Sequence, residues 1–147
     1  NAAGYPVRAV KGASYFDTTM SFAMIRKGKI DITILGALQV SQSGDLANWL
    51  VPGNKVPGMG GAMELAQKAK KVVVVMSHTD QKGRPKLTER CTLPLTAAGC
   101  VDLIITEKAV LEVDSHHFIL KELMNGSTID EVTRLTEAEI KIDMPFS

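Results

Sequence analysis

The stretch Lys71-Val-Val-Val-Val-Met76 decides the fold, because its four consecutive valines do not alternate with polar residues. A strand of this kind is covered on both faces, which is typical of a parallel sheet. Two further runs, Asp31-Ile-Thr-Ile-Leu-Gly36 and Val101-Asp-Leu-Ile-Ile-Thr106, predict strands of the same type. Weaker strand patterns lie towards the C-terminus, at residues 109–113, 118–123 and 139–142.

Helix signals separate these strands. Asp17 or Thr18 is a suitable N-cap for a helix that reaches about Lys27, with Gly28 as its C-terminal stop. Residues 61–70 predict a second helix, which has lysines in its last turn.

A third helix is predicted near the end of the chain. Thr128 and Glu131 have the spacing of a capping box, and the helix is expected to run through Glu137.

Strands that alternate with helices indicate an α/β fold. We therefore expect one domain over residues 1–147, built on an open, mostly parallel sheet with helices on both faces.

Composition excludes several classes of protein. The chain has 147 residues, of which 45% are apolar and 22% charged, so it is long and apolar enough to bury a core. A net charge of +1 and an aromatic content of 5% give no indication of nucleic-acid binding. No apolar run approaches the roughly 20 residues of a membrane span. Cys91 and Cys100 fit no metal or disulfide pattern, and we expect reduced thiols in a cytoplasmic protein.

The most informative local motif is Val56-Pro-Gly-Met-Gly-Gly-Ala-Met63, which precedes the second predicted helix. Its glycines permit positive φ and a close approach to the backbone, and free amides at a helix start favour negative charge. The loop is therefore a candidate site for a phosphate, a carboxylate or an oxyanion. An ordinary tight turn into a helix remains the alternative. The motif matches neither a Walker loop nor a dinucleotide-binding pattern.

Other polar residues give weaker signals. His78 follows a predicted strand, where open α/β sheets place ligands, although a solvated loop histidine is the alternative. His116 and His117 are adjacent, so in extended chain they point in opposite directions and do not predict a shared metal. We expect no metal site.

Several strings of the sequence resemble the 3-oxoacid coenzyme A transferases of the succinyl-CoA type. The resemblance is to the B-type subunit, which bears the catalytic glutamate in the bacterial enzymes with separate subunits. The strings occur in the family's order and cover essentially the whole chain. They are Gly12-Ala-Ser-Tyr-Phe16, Ser21-Phe-Ala-Met-Ile-Arg26, Leu35-Gly-Ala-Leu-Gln-Val40, Gly44-Asp-Leu-Ala-Asn-Trp49, Gly58-Met-Gly-Gly-Ala-Met63, Cys91-Thr-Leu-Pro-Leu-Thr96 and Ile104-Ile-Thr-Glu-Lys-Ala-Val110.

The resemblance implies a reaction of ketone body metabolism, in which CoA moves from succinyl-CoA to a 3-oxoacid such as acetoacetate. A glutamate attacks the thioester and then carries CoA as a glutamyl-CoA thioester, with a coenzyme A thioester as substrate and no bound cofactor. The family's nucleophile lies in a Ser-Glu-Asn-Gly motif, which the chain does not contain. We expect this glutamate upstream of Asn1, so that the domain is N-terminally incomplete and inactive alone.

The resemblance also assigns candidate site residues. It places an oxyanion-binding amide at Gly61, with Gly60 as its neighbour. Gln39 and Asn48 are candidates for the substrate cleft, together with His78. The expected partner is the second, A-type subunit of a CoA-transferase in a hetero-oligomer, with the active site between the two subunits.

Two other functional classes use a related sheet architecture. One is the sugar-phosphate isomerases, and the other is the metabolite-sensing domains of transcription regulators. Neither explains the string Gly44-Asp-Leu-Ala-Asn-Trp49. Exchange of label between an acyl-CoA and a carboxylate separates a transferase from both alternatives.

Overall fold

A computed structural model describes residues 5–53, 58–114, 116–124 and 126–144. Their helices and strands, in chain order, are α1 (Thr18–Arg26), β1 (Ile32–Leu35), β2 (Gln39–Ser41), β3 (Leu46–Ala47), α2 (Ala62–Lys68), β4 (Lys71–Val75), β5 (Leu87–Thr88), β6 (Leu103–Ile105), β7 (Ala109–Asp114), β8 (His117–Leu123), α3 (Ile129–Arg134) and β9 (Ile140–Ile142). No helix in this part of the chain is both long and apolar enough to cross a bilayer.

Most of these strands form a six-stranded sheet in the order β1-β4-β6-β7-β8-β9. β1, β4 and β6 are parallel, β7 is antiparallel to both of its neighbours, and β9 is parallel to β8. The predicted α/β architecture with a largely parallel sheet is confirmed, as are all six predicted strands. β2, β3 and β5 form a second, three-stranded sheet, which the sequence analysis did not anticipate.

The helices begin where their caps predict. The Asp17 carboxylate accepts the Met20 N–H at 2.9 Å, and the Thr128 hydroxyl accepts the Glu131 N–H at 3.2 Å. In place of the reciprocal half of the capping box, the Glu131 carboxylate forms an ion pair with Lys108 at 2.8 Å.

The third helix is shorter than predicted. It ends at Arg134 rather than Glu137, because the Glu137 N–H donates to the carbonyl of Leu87 in β5 and so leaves the helical path. Pairing with a distant strand here overrides the local helical preference.

The core lies on one face of the large sheet. Val72, Val74 and Ile104 point into it from neighbouring strands and are almost completely buried. The three-stranded sheet contributes Val40, Leu46 and Leu87 to the same cluster, and α2 and α3 contribute Ala66 and Val132. This arrangement stacks the small sheet and these helices against the strands that lead into the candidate site.

Candidate functional site

A cavity of about 740 Å³ opens at the carboxyl ends of β1 and β4. Open α/β sheets place ligands at this edge. Among the residues that line it are Leu38 and Gln39, which follow β1, and Ser77, which follows β4. Arg84 and Lys86 reach it from the loop before β5.

Gln39 shapes the cavity wall through its side-chain amide. Its Oε1 accepts the N–H groups of Thr92 at 2.9 Å and Leu93 at 3.0 Å, and its Nε2 donates to the Thr92 hydroxyl at 3.0 Å. The predicted cleft residue therefore borders the cavity and holds the 92–93 segment against it.

Asn48 has a bridging position. Its Nδ2 donates to the carbonyl of Gly36 at 3.2 Å, and its Oδ1 accepts the Thr96 hydroxyl at 2.7 Å. Asn48 therefore ties the end of β1 to the segment after residue 92, but it does not line the cavity.

His78 lies in the interior rather than at the cavity surface, with a relative exposure of 0%. Its Nδ1 lies 3.0 Å from the Thr106 hydroxyl and its Nε2 lies 2.9 Å from the Thr136 hydroxyl. Its backbone N–H donates to the Glu107 carboxylate at 3.0 Å. The ring therefore joins three segments of the fold instead of facing a ligand.

The threonine hydroxyls on either side of this histidine constrain its protonation. Thr136 donates to the carbonyl of Val132 at 2.9 Å, so its oxygen accepts from His78 Nε2. The Thr106 hydroxyl accepts two backbone N–H groups, and its own proton has two acceptors within reach, the carbonyl of Ala109 at 3.2 Å and His78 Nδ1 at 3.0 Å. A neutral imidazole with its proton on Nε2 matches the Thr136 contact. Burial lowers the pKa of His78, which favours the same neutral form.

Lys86 is the half-buried cation of the cavity. Its ammonium donates to the Ser77 hydroxyl at 3.1 Å. Burial lowers the pKa of Lys86, with a smaller opposing effect from Glu107 and Asp80. The neighbouring Arg84 is already paired with Asp80 at 2.6 Å, so Lys86 is the cation better placed to meet a carboxylate ligand.

The glycine loop enters α2 with backbone geometry that only glycine adopts easily. Gly58 has φ of 111° and Gly60 has φ of 59°, whereas Gly61 has φ of −80° and is the N-cap. The four residues before Gly58 lie outside the described ranges. Within those ranges the amides of Gly60 and Gly61 donate no hydrogen bond, and a β-carbon on Gly60 would meet no atom within 4 Å.

Contacts between α1 and α2 fix this loop. The Arg26 guanidinium binds both oxygens of the Glu64 carboxylate, at 2.7 and 2.8 Å, and lies 5.7 Å from the centre of the Phe22 ring. This hydrogen-bonded pair lowers the pKa of Glu64 and raises that of Arg26. Glu64 is therefore part of a helix-to-helix contact, beyond its place in the first turn of α2.

Sequence reasoning missed Lys86 and Thr88 as cavity residues. Arg84 and Lys86 flank Pro85 shortly after a buried strand, and this pair of basic residues was the available signal in the sequence. In the described ranges no three His, Cys, Asp or Glu side chains come together as metal ligands.

An α/β domain with a cavity at the carboxyl edge of its sheet is typical of ligand-binding proteins and enzymes. The coenzyme A transferase family model matches residues 1–135 of the sequence. The chain therefore belongs to the coenzyme A transferase family.

Two relatives come from Bacillus subtilis (strain 168). The beta subunit of a probable coenzyme A transferase is 99% identical over 147 residues, which are all of this chain and 68% of the relative. The B-type subunit of a probable succinyl-CoA:3-ketoacid coenzyme A transferase is 48% identical over 142 residues, covering 97% of this chain and 66% of the relative. The chain thus spans about two thirds of each.

A solved structure shows the same fold. The acyl-CoA transferase from Escherichia coli O157:H7, crystallised as a thioester complex with CoA, superposes with a TM-score of 0.80 at 19% identity. The match covers 97% of this chain and 33% of that one.

Proposed function

We propose that residues 1–147 are the larger part of the B-type subunit of a coenzyme A transferase that moves CoA from succinyl-CoA to a 3-oxoacid such as acetoacetate. The observation that carries the substrate assignment is the 48% identity to the corresponding succinyl-CoA:3-ketoacid transferase subunit over 97% of the chain. In this proposal the nucleophilic glutamate belongs to the part of the subunit upstream of Asn1.

The proposed reaction forms and breaks acyl bonds at that glutamate. Its carboxylate attacks the succinyl thioester and releases CoA thiolate, which then attacks the glutamyl carbonyl and releases succinate. The acceptor carboxylate attacks the glutamyl-CoA thioester, and the released thiolate takes the acyl group as a new thioester. Each attack develops an oxyanion, for which we assign the amides of Gly60 and Gly61 as donors, since neither is paired within the described ranges.

The cavity supplies the proposed carboxylate contact. Succinyl-CoA carries a free carboxylate at the end remote from its thioester, and Lys86 is a half-buried cation that lines the cavity. A charged hydrogen bond of this kind is stronger than a neutral one. Gln39 and Asn48 act in this proposal by holding the cavity wall, and His78 by joining the segments behind it.

The proposed partner is the A-type subunit of the transferase, in a hetero-oligomer of the cytoplasm that needs no bound cofactor. Residues 5–17 contain no helix or strand, and Val10, Tyr15 and Phe16 expose 79%, 87% and 57% of their surface. Apolar side chains exposed in sequence along one segment support an interface with another subunit.

The experiment is CoA transfer by the full-length B-type protein co-expressed with its A-type partner. We expect acetoacetyl-CoA to form from succinyl-CoA and acetoacetate, and labelled succinate to exchange into succinyl-CoA without acetoacetate. Transfer to other acids but not to acetoacetate would refute the substrate assignment. Binding of metabolites without any exchange would instead support a sensor, and turnover of a sugar phosphate would support an isomerase.

A further inference from the structure

The hydrogen bond between Lys86 and Ser77 has only one possible direction. An ammonium group carries three protons and no acceptor, so Lys86 Nζ donates and Ser77 Oγ accepts at 3.1 Å. The hydroxyl proton of Ser77 is therefore not used in this contact. Within the described part of the chain the Ser77 side chain forms no other hydrogen bond, and Ser77 is exposed on the cavity wall. Its O–H is left to donate to a ligand.

Lys86 keeps donors for the same ligand. Of the described residues, none forms an ion pair with it, including Glu137, which also lines the cavity. The two acids that act on its pKa are engaged elsewhere, because Asp80 pairs with Arg84 at 2.6 Å and Glu107 accepts a backbone N–H at 3.0 Å. Two protons of the ammonium therefore remain for a ligand.

The backbone fixes the segment that carries the two side chains. Ser77 and Lys86 lie at the ends of a hairpin in which the His78 carbonyl accepts the Lys86 N–H at 3.2 Å. Asp80 closes the turn of this hairpin, because its Oδ1 accepts two backbone N–H groups at 2.8 and 2.9 Å. The donors are thus brought together before a ligand arrives, which lowers the entropic cost of binding.

A carboxylate is the ligand group that matches these donors. It has two oxygens and no proton of its own, so one oxygen accepts from the Lys86 ammonium and the other from the Ser77 hydroxyl. The same cavity is also lined by the apolar side chains of Leu38, Val51 and Leu93, which suit the methylene groups of an acyl chain. The cavity therefore fits an acyl chain that ends in a carboxylate.

We propose that Ser77 is a specificity-determining residue of the transferase, whose hydroxyl and the Lys86 ammonium together bind the free carboxylate of a dicarboxylic acyl group such as succinyl. The inference rests on the proposed function for the identity of the acyl donor. Acetoacetyl-CoA has no free carboxylate, so it does not form this contact. Ser77 therefore favours succinyl-CoA over an acyl-CoA whose acyl group is neutral.

The kinetic test uses Ser77→Ala in the full-length B-type protein, co-expressed with its A-type partner. We expect the ratio of kcat/KM for succinyl-CoA to kcat/KM for acetoacetyl-CoA to fall by roughly ten- to hundredfold, the contribution of one hydrogen bond to a charged group. Ser77→Thr keeps the hydroxyl and should restore most of this ratio. Ser43→Ala is the matched control, because Ser43 is exposed and does not line the cavity.

Two kinetic results would overturn the proposal. The first is an unchanged ratio in Ser77→Ala, whether transfer from both acyl-CoA donors falls in parallel or neither falls. The second is a ratio in Ser77→Thr as low as in Ser77→Ala, since something other than the hydroxyl would then set the preference.

A second measurement does not depend on turnover. Formaldehyde and cyanoborohydride methylate the Lys86 amine, and mass spectrometry of its peptide measures the rate. We expect succinate to slow this methylation in the natural protein, and to slow it less in Ser77→Ala. Neutral succinamide, and sodium chloride at equal ionic strength, are the comparison additives and should not slow it.

The two measurements separate this inference from the proposed function. If the natural enzyme transfers no CoA from succinyl-CoA, the proposed function fails, whereas protection of Lys86 by succinate still establishes the carboxylate site. Equal methylation rates of Lys86 in succinate and in chloride would overturn the site, even in an enzyme that transfers CoA.

Discussion

The ring of Phe22 in α1 lies against the backbone of Gly61 at the start of α2. A β-carbon on Gly61 would come within 2.9 Å of Phe22 Cζ, closer than real contacts allow. The resemblance to the transferases assigns an oxyanion-binding amide to Gly61, in a loop whose glycines permit a close approach to the backbone. The structure adds packing against Phe22 as an independent reason for glycine at this position.

Gly61→Ala should therefore lower stability through this contact. Overpacking typically costs about 1–3 kcal/mol. Phe22→Leu in the same protein should recover part of that loss, because it removes the end of the ring. Urea unfolding of the two single variants and the double variant measures the coupling. Strictly additive effects would contradict the proposed contact.

Gly60→Asn is the sharper test of the oxyanion role. Asparagine tolerates positive φ better than most residues, and the space around Gly60 is open, so the fold should persist. A substrate that approaches this backbone would meet the new side chain, and we expect transfer by the complete enzyme to fall by about a hundredfold, the effect of a displacement of about 1 Å. Normal transfer at an unchanged melting temperature would remove Gly60 from the active site.

Lys86→Met should raise KM for succinyl-CoA, whose free carboxylate lies away from the reacting thioester. Hydrogen bonds to charged groups contribute about 1.5–3 kcal/mol, which corresponds to roughly a ten- to hundredfold effect. Lys86→Arg should retain part of the affinity, and Lys82→Met is the control because Lys82 is exposed and does not line the cavity. Equal KM values for the Lys86→Met and Lys82→Met enzymes would exclude the carboxylate contact.

Because His78 is buried, we expect the free energy of unfolding to fall in mild acid. Its pKa is lowered in the folded state, so the unfolded chain binds the proton more readily. Its contribution is fully present above the unfolded pKa near 6.5 and is lost as pH falls from there through the folded value. The free energy of unfolding at about pH 7.5 and about pH 5.5, on either side of the unfolded pKa, should differ less in His78→Gln than in the natural protein. Parallel pH profiles would contradict this assignment.

Cys91 and Cys100 should react slowly in the folded protein. Burial is the main cause that raises the pKa of each thiol to about 11, and the reactive species is the thiolate. At about pH 8 we expect alkylation to be about a hundredfold slower than in the protein unfolded by urea. Mass spectrometry of the two peptides over time measures both rates, and fast labelling of either native thiol would disprove its burial.

The sequence predicted the strands and helix starts whose signals are local. The valine run specifies β4, and Asp17 and Thr128 specify helix starts, because each depends on neighbours in the chain. The strands of the small sheet contain only two or three residues and have no periodic pattern to detect.

The cavity was less predictable because it is assembled from distant segments. Gln39 was identified through the resemblance, but its hydrogen bonds to Thr92 and Leu93 span more than fifty positions. His78 was expected near the cleft from its place after β4. Its burial depends on Thr106 and Thr136, which no local pattern brings together.

The strand order also constrains how the chain folds. β6, β7 and β8 each pair with the next strand in the sequence. β1 pairs instead with β4, and β2, β3 and α2 lie between these two strands in the sequence. Contacts between distant residues form slowly because they close long loops. We expect the 103–123 meander to acquire amide protection first in pulsed hydrogen exchange during refolding. The edge strand that carries Ile32 and Ile34 should be among the last parts to become protected.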